Sequence, residues 1–169
     1  MSDNNRLPDL LTEGLDIVFV GTAAGTKSAT RQAYYANDSN RFYNTVHKIG
    51  LTSILLKPEE YKELLNYRIG ITDLFKGKSG LDRTLTKGDY DVEAFRKKIE
   101  ILHPKILAFN GKRAAKVFFD KENIEYGRQA EMIGNTVIFV LPSTSGMASR
   151  WWDERYWKDV ALKIYSLSE

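Results

Sequence analysis

The chain of 169 residues contains no cysteine, which excludes disulfide frameworks, all-cysteine zinc sites, iron–sulfur clusters and cysteine nucleophiles together. Histidine is nearly absent as well. Only His47 and His103 could serve as nitrogen ligands, so no resident transition metal is expected. No stretch approaches about 18 consecutive apolar residues, and the opening Met-Ser-Asp-Asn-Asn-Arg lacks the apolar run of a signal peptide. The expectation is a soluble, intracellular protein without a membrane segment. Internal repeats, low-complexity tracts and obvious linkers are also missing.

What is present is enough for one compact domain. At 43% hydrophobic and 28% charged content, the chain can bury a real core, whereas two full domains would be cramped. The net charge of +3 is unevenly placed: residues 1 to 16 hold Asp3, Asp9, Glu13 and Asp16 against Arg6, a balance of −3, so the remainder carries +6. Residues 76 to 88 hold Lys76, Lys78, Arg83 and Lys87 against Asp82 alone. A Gly/Ser/Thr-rich basic loop of this kind suits a phosphate backbone, and from charge alone it equally suits an ordinary solvated surface.

Four short apolar runs read as strands: Asp16 to Val20, Ile69 to Thr72, Lys105 to Phe109, and Thr136 to Leu141. They lack the polar alternation of a half-exposed strand, which points to a sheet buried on both faces. Gly70 interrupts the second. Helical spacing appears in Phe42, Val46 and Ile49 after Asn40 as a candidate N-cap, and over Pro58 to Leu65. It recurs in Val92, Phe95, Ile99 and Leu102 after Asp91, over Lys112 to Asp120, and in Tyr156, Val160 and Ile164. Gly134-Asn135 suggests a hairpin that adds an antiparallel edge strand near Gln129 to Ile133. Strands alternating with helices predict a single-domain α/β layered sandwich with a mainly parallel central sheet and helices on both faces. Ligands of such sheets gather beyond the carboxyl ends of the strands. The segments there are Gly21 to Gly25, Asp73-Leu74-Phe75, Asn110-Gly111-Lys112 and Pro142 to Gly146.

Gly21-Thr-Ala-Ala-Gly-Thr-Lys27-Ser28 invites comparison with a phosphate-binding P-loop, with Asp73 as a metal-holding carboxylate. In a P-loop the second glycine directly precedes the lysine and a helix starts there. Here Thr26 intervenes, and residues 30 to 40 show no apolar helical stripe. A nucleotide triphosphatase is therefore the weaker reading. The following stretch, Tyr34 to Tyr43, combines aromatics with amides and an arginine. Aromatic faces can stack a nucleobase and amides can read its edge. Taken alone, the same segment could supply a core tyrosine and a helix-capping Asn40.

The order Gly21-Thr-Ala-Ala-Gly25, Asn40-Arg-Phe-Tyr43 and Leu141-Pro-Ser-Thr-Ser-Gly146 resembles the uracil-DNA glycosylase superfamily over roughly residues 16 to 165. It is similar to the mismatch-specific uracil/thymine-DNA glycosylases, which carry Gly-Ile-Asn-Pro-Gly, Asn-Arg-Phe-Trp and a Leu-Pro-Asn-Pro-Ser-Gly type of loop. Tyr34-Tyr35-Ala36, Phe109-Asn-Gly-Lys112 and Leu-Pro-Ser-Thr-Ser also resemble the hypoxanthine-DNA glycosylase branch. The resemblance implies a glycosylase-like domain over 16–169 behind an acidic extension of residues 1–15. It further implies a monofunctional enzyme that excises a deaminated base, uracil or hypoxanthine, from single- or double-stranded DNA by flipping it outward, without metal or cofactor.

The resemblance also distributes roles. Thr22, Ala23, Ala24 and Gly25 would hold the base with Asn110, and Tyr35 would stack on it. Met147 would enter the gap left in the helix. Ser143, Ser145 and Gly146 would grip flanking phosphates, while Arg150, Lys76, Lys78 and Arg83 would hold DNA further out. The first motif departs from the mismatch-specific pattern. Ala23 stands where that family has the asparagine that orients the attacking water, and a methyl group cannot do so. Three outcomes follow: another side chain replaces it, with Asn40 expected and Asp73 the second candidate; leaving-group stabilisation suffices; or the protein binds damaged or abasic DNA without cutting it.

Overall fold

The computed structural model describes residues 7–23, 25–75 and 91–168. Five strands form one sheet: β1 (Ile17–Gly21), β2 (Ile69–Asp73), β3 (Ile106–Asn110), β4 (Gly127–Ile133) and β5 (Thr136–Leu141), in the order β2-β1-β3-β5-β4. The first three neighbouring pairs are parallel, and β4 joins β5 antiparallel at the edge through the Gly134-Asn135 turn. Three strands begin and end one residue later than the apolar runs suggested, or extend one residue past them, so each carries a polar or glycine residue at its carboxyl end: Gly21, Asp73 and Asn110.

The alternation of the strands explains the layers. Ile17, Phe19, Ile69, Ile71, Ile106, Ala108, Val137 and Phe139 face one core, while Val18, Val20, Leu107, Phe109, Ile138 and Val140 face another. With both faces apolar, each must be covered by helices. The first core takes Phe42 and Val46 of helix α2 (Phe42–Lys48) and Trp157, Val160 and Ile164 of α5 (Glu154–Leu167). The second takes Phe95 and Ile99 of α3 (Val92–Leu102) and Ala114, Ala115 and Phe118 of α4 (Lys112–Phe119). The chain is thus a single α/β domain with a mainly parallel sheet between helical layers, as its sequence pattern predicts.

Two stretches behave differently from their sequence signals. A six-residue helix, α1 (Thr26–Arg31), follows the glycine turn without an apolar stripe to announce it, and residues 32 to 40 are not helical, as the lack of a stripe over 30 to 40 suggests. Pro58–Tyr67 winds as a 3-10 helix, with Pro58 in its first turn where a missing N–H does no harm. Gly70, which weakens β2 as a strand signal, has a packing reason. A Cβ there would stand 2.6 Å from Leu15 Cδ1 and 2.7 Å from the Leu10 carbonyl oxygen. The space is needed because Leu10 pairs antiparallel with Ile71, each N–H reaching the other's carbonyl at 2.9 Å. Leu7, Leu10 and Leu15 are all buried, so the acidic segment from residue 7 onward packs onto the sheet.

Candidate functional site

The carboxyl ends of β1, β2, β3 and β5 open onto one cavity of about 580 Å³. β1 leads on to β2 at one edge, while its other neighbour β3 leads on to β4 at the opposite edge, so the loops part between β1 and β3 to form a crevice. Thr22, Ala23, Gly25, Tyr35, Asn40, Asp73, Asn110, Ser143, Ser145 and Met147 all line this cavity. The structure therefore brings together ten of the sixteen site residues named from the sequence. Gly146 lies within the same loop, and Arg150 is exposed one helical turn beyond. Ala24, Lys76, Lys78 and Arg83 lie outside the described residues.

Asp73 is 4% exposed at the end of β2, in register with Gly21 of β1. A Cβ on Gly21 would stand 2.7 Å from Asp73 Oδ1 and 3.6 Å from the Tyr35 hydroxyl. The carboxylate, the tyrosine and the start of the glycine turn thus meet at one point. The turn itself is held by Leu74 N–H on the Gly21 carbonyl and Phe75 N–H on the Thr22 carbonyl, both 2.8 Å. Ala23 sits on the cavity wall and presents only its methyl group.

Tyr35 adopts φ +53°, a conformation rare for a bulky side chain and costing on the order of 1–3 kcal/mol unless its surroundings enforce it. What it achieves is placement: the half-buried ring packs on Phe42, centroids 4.3 Å apart, and lines the cavity. The core and cavity readings of Tyr35 both describe its position. Asn40 is similarly double. Its Oδ1 accepts the Phe42 N–H at 2.9 Å, capping α2 one residue earlier than a standard N-cap because Arg41 occupies that position. The same bond fixes the amide at the cavity wall.

The loop after β5 is tied down at several points. Trp157, fully buried, donates its Nε1–H to the Pro142 carbonyl at 2.9 Å. Arg41 N–H reaches the Thr144 carbonyl at 3.0 Å. Asn110 holds Thr144 twice: Thr144 N–H donates to Asn110 Oδ1 at 3.0 Å, and Asn110 Nδ2 donates to Thr144 Oγ1 at 2.9 Å. Ser143 Oγ accepts Ser145 N–H at 3.1 Å, and Ser145 Oγ accepts Met147 N–H at 3.2 Å, capping the 3-10 helix Gly146–Trp151. These serines build the loop's own shape. Gly146 packs so closely that a Cβ would fall 2.5 Å from Ser39 Oγ.

The sequence reading gives the cations on the rim no role in the glycosylase site. Lys27, Lys112 and Arg113 line the cavity, two of them because Gly111 aims the amino end of α4 at it. Their signal was the strand-then-glycine pattern itself, which places the next two side chains beside a ligand. Lys112 Nζ also lies 4.3 Å from the centre of the Tyr126 ring. Among the described residues, no group of three or more His, Asp or Glu side chains could hold a metal ion, and no helix is long and apolar enough to cross a membrane.

The fold has a counterpart among solved structures: a solution NMR structure of a Methanosarcina acetivorans protein provisionally assigned as a uracil DNA glycosylase. It superposes with a TM-score of 0.64 at 22% identity, covering 96% of this chain and 98% of that one. At this identity the likeness establishes the architecture. The assignment to a family comes from the sequence, since the model of the uracil DNA glycosylase superfamily matches residues 8–161, a span that includes every described wall of the cavity. The chain belongs to the uracil DNA glycosylase superfamily.

Proposed function

We propose that this protein is a DNA glycosylase that flips a deaminated base, uracil or hypoxanthine, out of DNA and hydrolyses its bond to deoxyribose. The observation that carries the reading is the meeting of Asn40, Asp73 and Tyr35 with the glycine turn in one cavity of a superfamily member. Breaking the glycosidic bond places positive charge on the sugar and negative charge on the leaving base. The site must therefore orient a water below the sugar and offer donors to the base. Backbone N–H groups around Thr22 to Gly25 serve the base without any particular side chain. Tyr35, backed by Phe42, stacks on it.

Water falls to Asn40 because Ala23 cannot bind it. The amide carries two acceptor lone pairs and two N–H donors, and among the described residues one acceptor position is used, by Phe42 N–H. A carbonyl positions water without being a strong base, so activity should change little with pH near neutrality. An Asp73 mechanism would instead fall as the carboxylate protonates. Met147 enters the gap left by the flipped base, and the loop of Ser143, Ser145 and Gly146 meets the flanking phosphates, with Arg150, Lys76, Lys78 and Arg83 further out.

The test is single-turnover incubation with labelled uracil- and hypoxanthine-containing duplexes followed by alkali, for the wild type and Asn40→Asp. Aspartate caps a helix about as well as asparagine, so the variant should fold equally well and excise more slowly. Unchanged excision would remove Asn40 from the chemistry. The second reading, a binder of damaged or abasic DNA that does not excise, is favoured by the bare methyl of Ala23 on the cavity wall. It predicts tight binding with no alkali-labile strand for any base.

A further inference from the structure

We propose that Trp151 is a stacking platform for an unstacked nucleobase beside the cavity, giving the protein affinity for single-stranded DNA. The inference takes its ligand from the glycosylase reading and adds a contact outside the cavity. The three tryptophans near the end of the chain have different surroundings. Trp157 is fully buried. Trp152 is half-buried between Trp157, at 5.9 Å, and the Arg41 guanidinium, at 4.8 Å. Trp151 is 55% exposed, with Arg150 lying 4.9 Å from its ring centre.

A single exposed aromatic needs no explanation, but this one is not isolated. Met147, 76% exposed, lies four residues earlier in the Gly146–Trp151 segment and lines the cavity. Trp151 therefore follows the cavity rim within a few residues of chain. The platform is also held in place. Ser145 caps the helix, Ser149 Oγ donates to the Gly146 carbonyl at 2.8 Å, and Arg41 donates to Ser149 Oγ at 3.1 Å. Little order has to be acquired on binding.

Charge favours a polyanion here. Among the described residues Arg150 has no ion-pair partner. The nearby acids are already engaged, Asp153 by Arg155 at 2.7 Å and Glu154 by Lys48 at 3.0 Å. An indole with a guanidinium on one side offers its other face to a flat ring, and the cation is free to reach a phosphate. Paired duplex DNA hides its base faces. Unstacked bases occur in single strands and next to the gap left by a flipped nucleotide, so the surface selects for those.

Fluorescence anisotropy of a labelled, undamaged 12-nucleotide strand and of its duplex tests this with wild type, Trp151→Ala and Trp151→Phe. Trp151→Ala should weaken single-strand binding by about 5- to 150-fold, the range for loss of one base stack, and weaken duplex binding much less. Trp151→Phe should retain most of the affinity, and the melting temperature should not move in either variant. Equal single-strand affinity of wild type and Trp151→Ala overturns the proposal, as does an equal loss in both variants. Uracil excision separates the two readings. If the wild type excises nothing yet its single-strand binding depends on Trp151, the glycosylase reading fails and this one stands. If excision persists while binding ignores Trp151, only this one falls, and a wild type that binds neither strand removes both.

Discussion

Asn110, expected from the sequence to touch the flipped base, lines the cavity and also clamps Thr144 through two hydrogen bonds, which permits a quantitative test. Thr144 is fully buried, and Asn110 provides partners for both its N–H and its hydroxyl. Asn110→Ala removes two hydrogen bonds, each worth about 1 kcal/mol net, and leaves a buried N–H whose unmet desolvation adds to that loss. The total is on the order of 2–4 kcal/mol. For a domain of this size each kcal/mol moves the midpoint by about 2–4 °C, so thermal unfolding should drop by roughly 4–16 °C. Asn110→Asp should lose much less, since a carboxylate accepts from both Thr144 groups.

Thr144→Val deletes only the hydroxyl and completes a double-mutant cycle. The two changes should be less than additive, with a coupling of roughly 0.5–3 kcal/mol. Excision measured well below all the midpoints then separates clamp from base reader. A clamp loses activity to a similar degree through either partner, because both let the loop after β5 drift. A base reader loses it through Asn110 alone. Wild-type melting of Asn110→Ala would refute the clamp.

Gly146→Ala should destabilise by about 1–3 kcal/mol through overpacking, because its Cβ would meet Ser39 Oγ and Cβ at 2.5 and 2.6 Å; Ser39→Gly should restore part of the loss, read by urea unfolding. Tyr35→Ala should weaken binding of uracil-containing DNA by about 1–3 kcal/mol, while Tyr35→Phe binds like wild type; equal binding by Tyr35→Ala would assign the ring to the core alone. Hydrogen bonding to Lys48, opposed by partial burial and aided by Lys158, holds the Glu154 carboxyl below its usual 4.5. A carboxyl depressed on folding adds stability above its unfolded value and loses it as pH falls through its lower folded value. The melting-temperature gap between wild type and Glu154→Gln should therefore be constant near neutrality and close below about pH 4.5.

The fold was legible because burial on both faces leaves a direct trace in sequence. Runs such as Ile17-Val-Phe-Val and Thr136-Val-Ile-Phe-Val-Leu have no polar face to show, and only a sheet covered on both sides tolerates that. Less legible were elements whose stability comes from tertiary contacts. Helix α1 buries Ser28 and Ala29 rather than large apolar residues, so no stripe announces it. What holds that region is a set of polar ties, including Ser28 Oγ accepting Ala36 N–H at 3.0 Å and Arg31 bonding both the Ala36 carbonyl and Glu59. Gly70 weakened the signal of a strand that is present, for the opposite reason. A residue that weakens a strand locally was required by Leu10, 60 positions away in the chain.

The site was legible in membership and not in roles, and the distinction has a physical cause. Loops at the carboxyl ends of parallel strands converge whatever their residues do, so topology alone brought Asn40, Asp73, Asn110 and Ser143 to one cavity. A role depends on which hydrogen bonds a side chain has already committed, and that is set by partners distant in sequence. Asn110 spends both ends of its amide on Thr144. Ser143 and Ser145 commit their oxygens to the next turn of their own loop. Asn40 commits one acceptor position to Phe42 N–H, and that bond holds its amide rigid at the cavity wall. A polar group fixed this way, with donors and a lone pair still to offer, is better placed to orient a water than a free one, because the ordering cost has been met by the capping bond. The vacancy at Ala23 therefore need not disable the site. On the proposed reading, it moves the demand for a fixed amide from the turn after β1 to Asn40, two residues before α2.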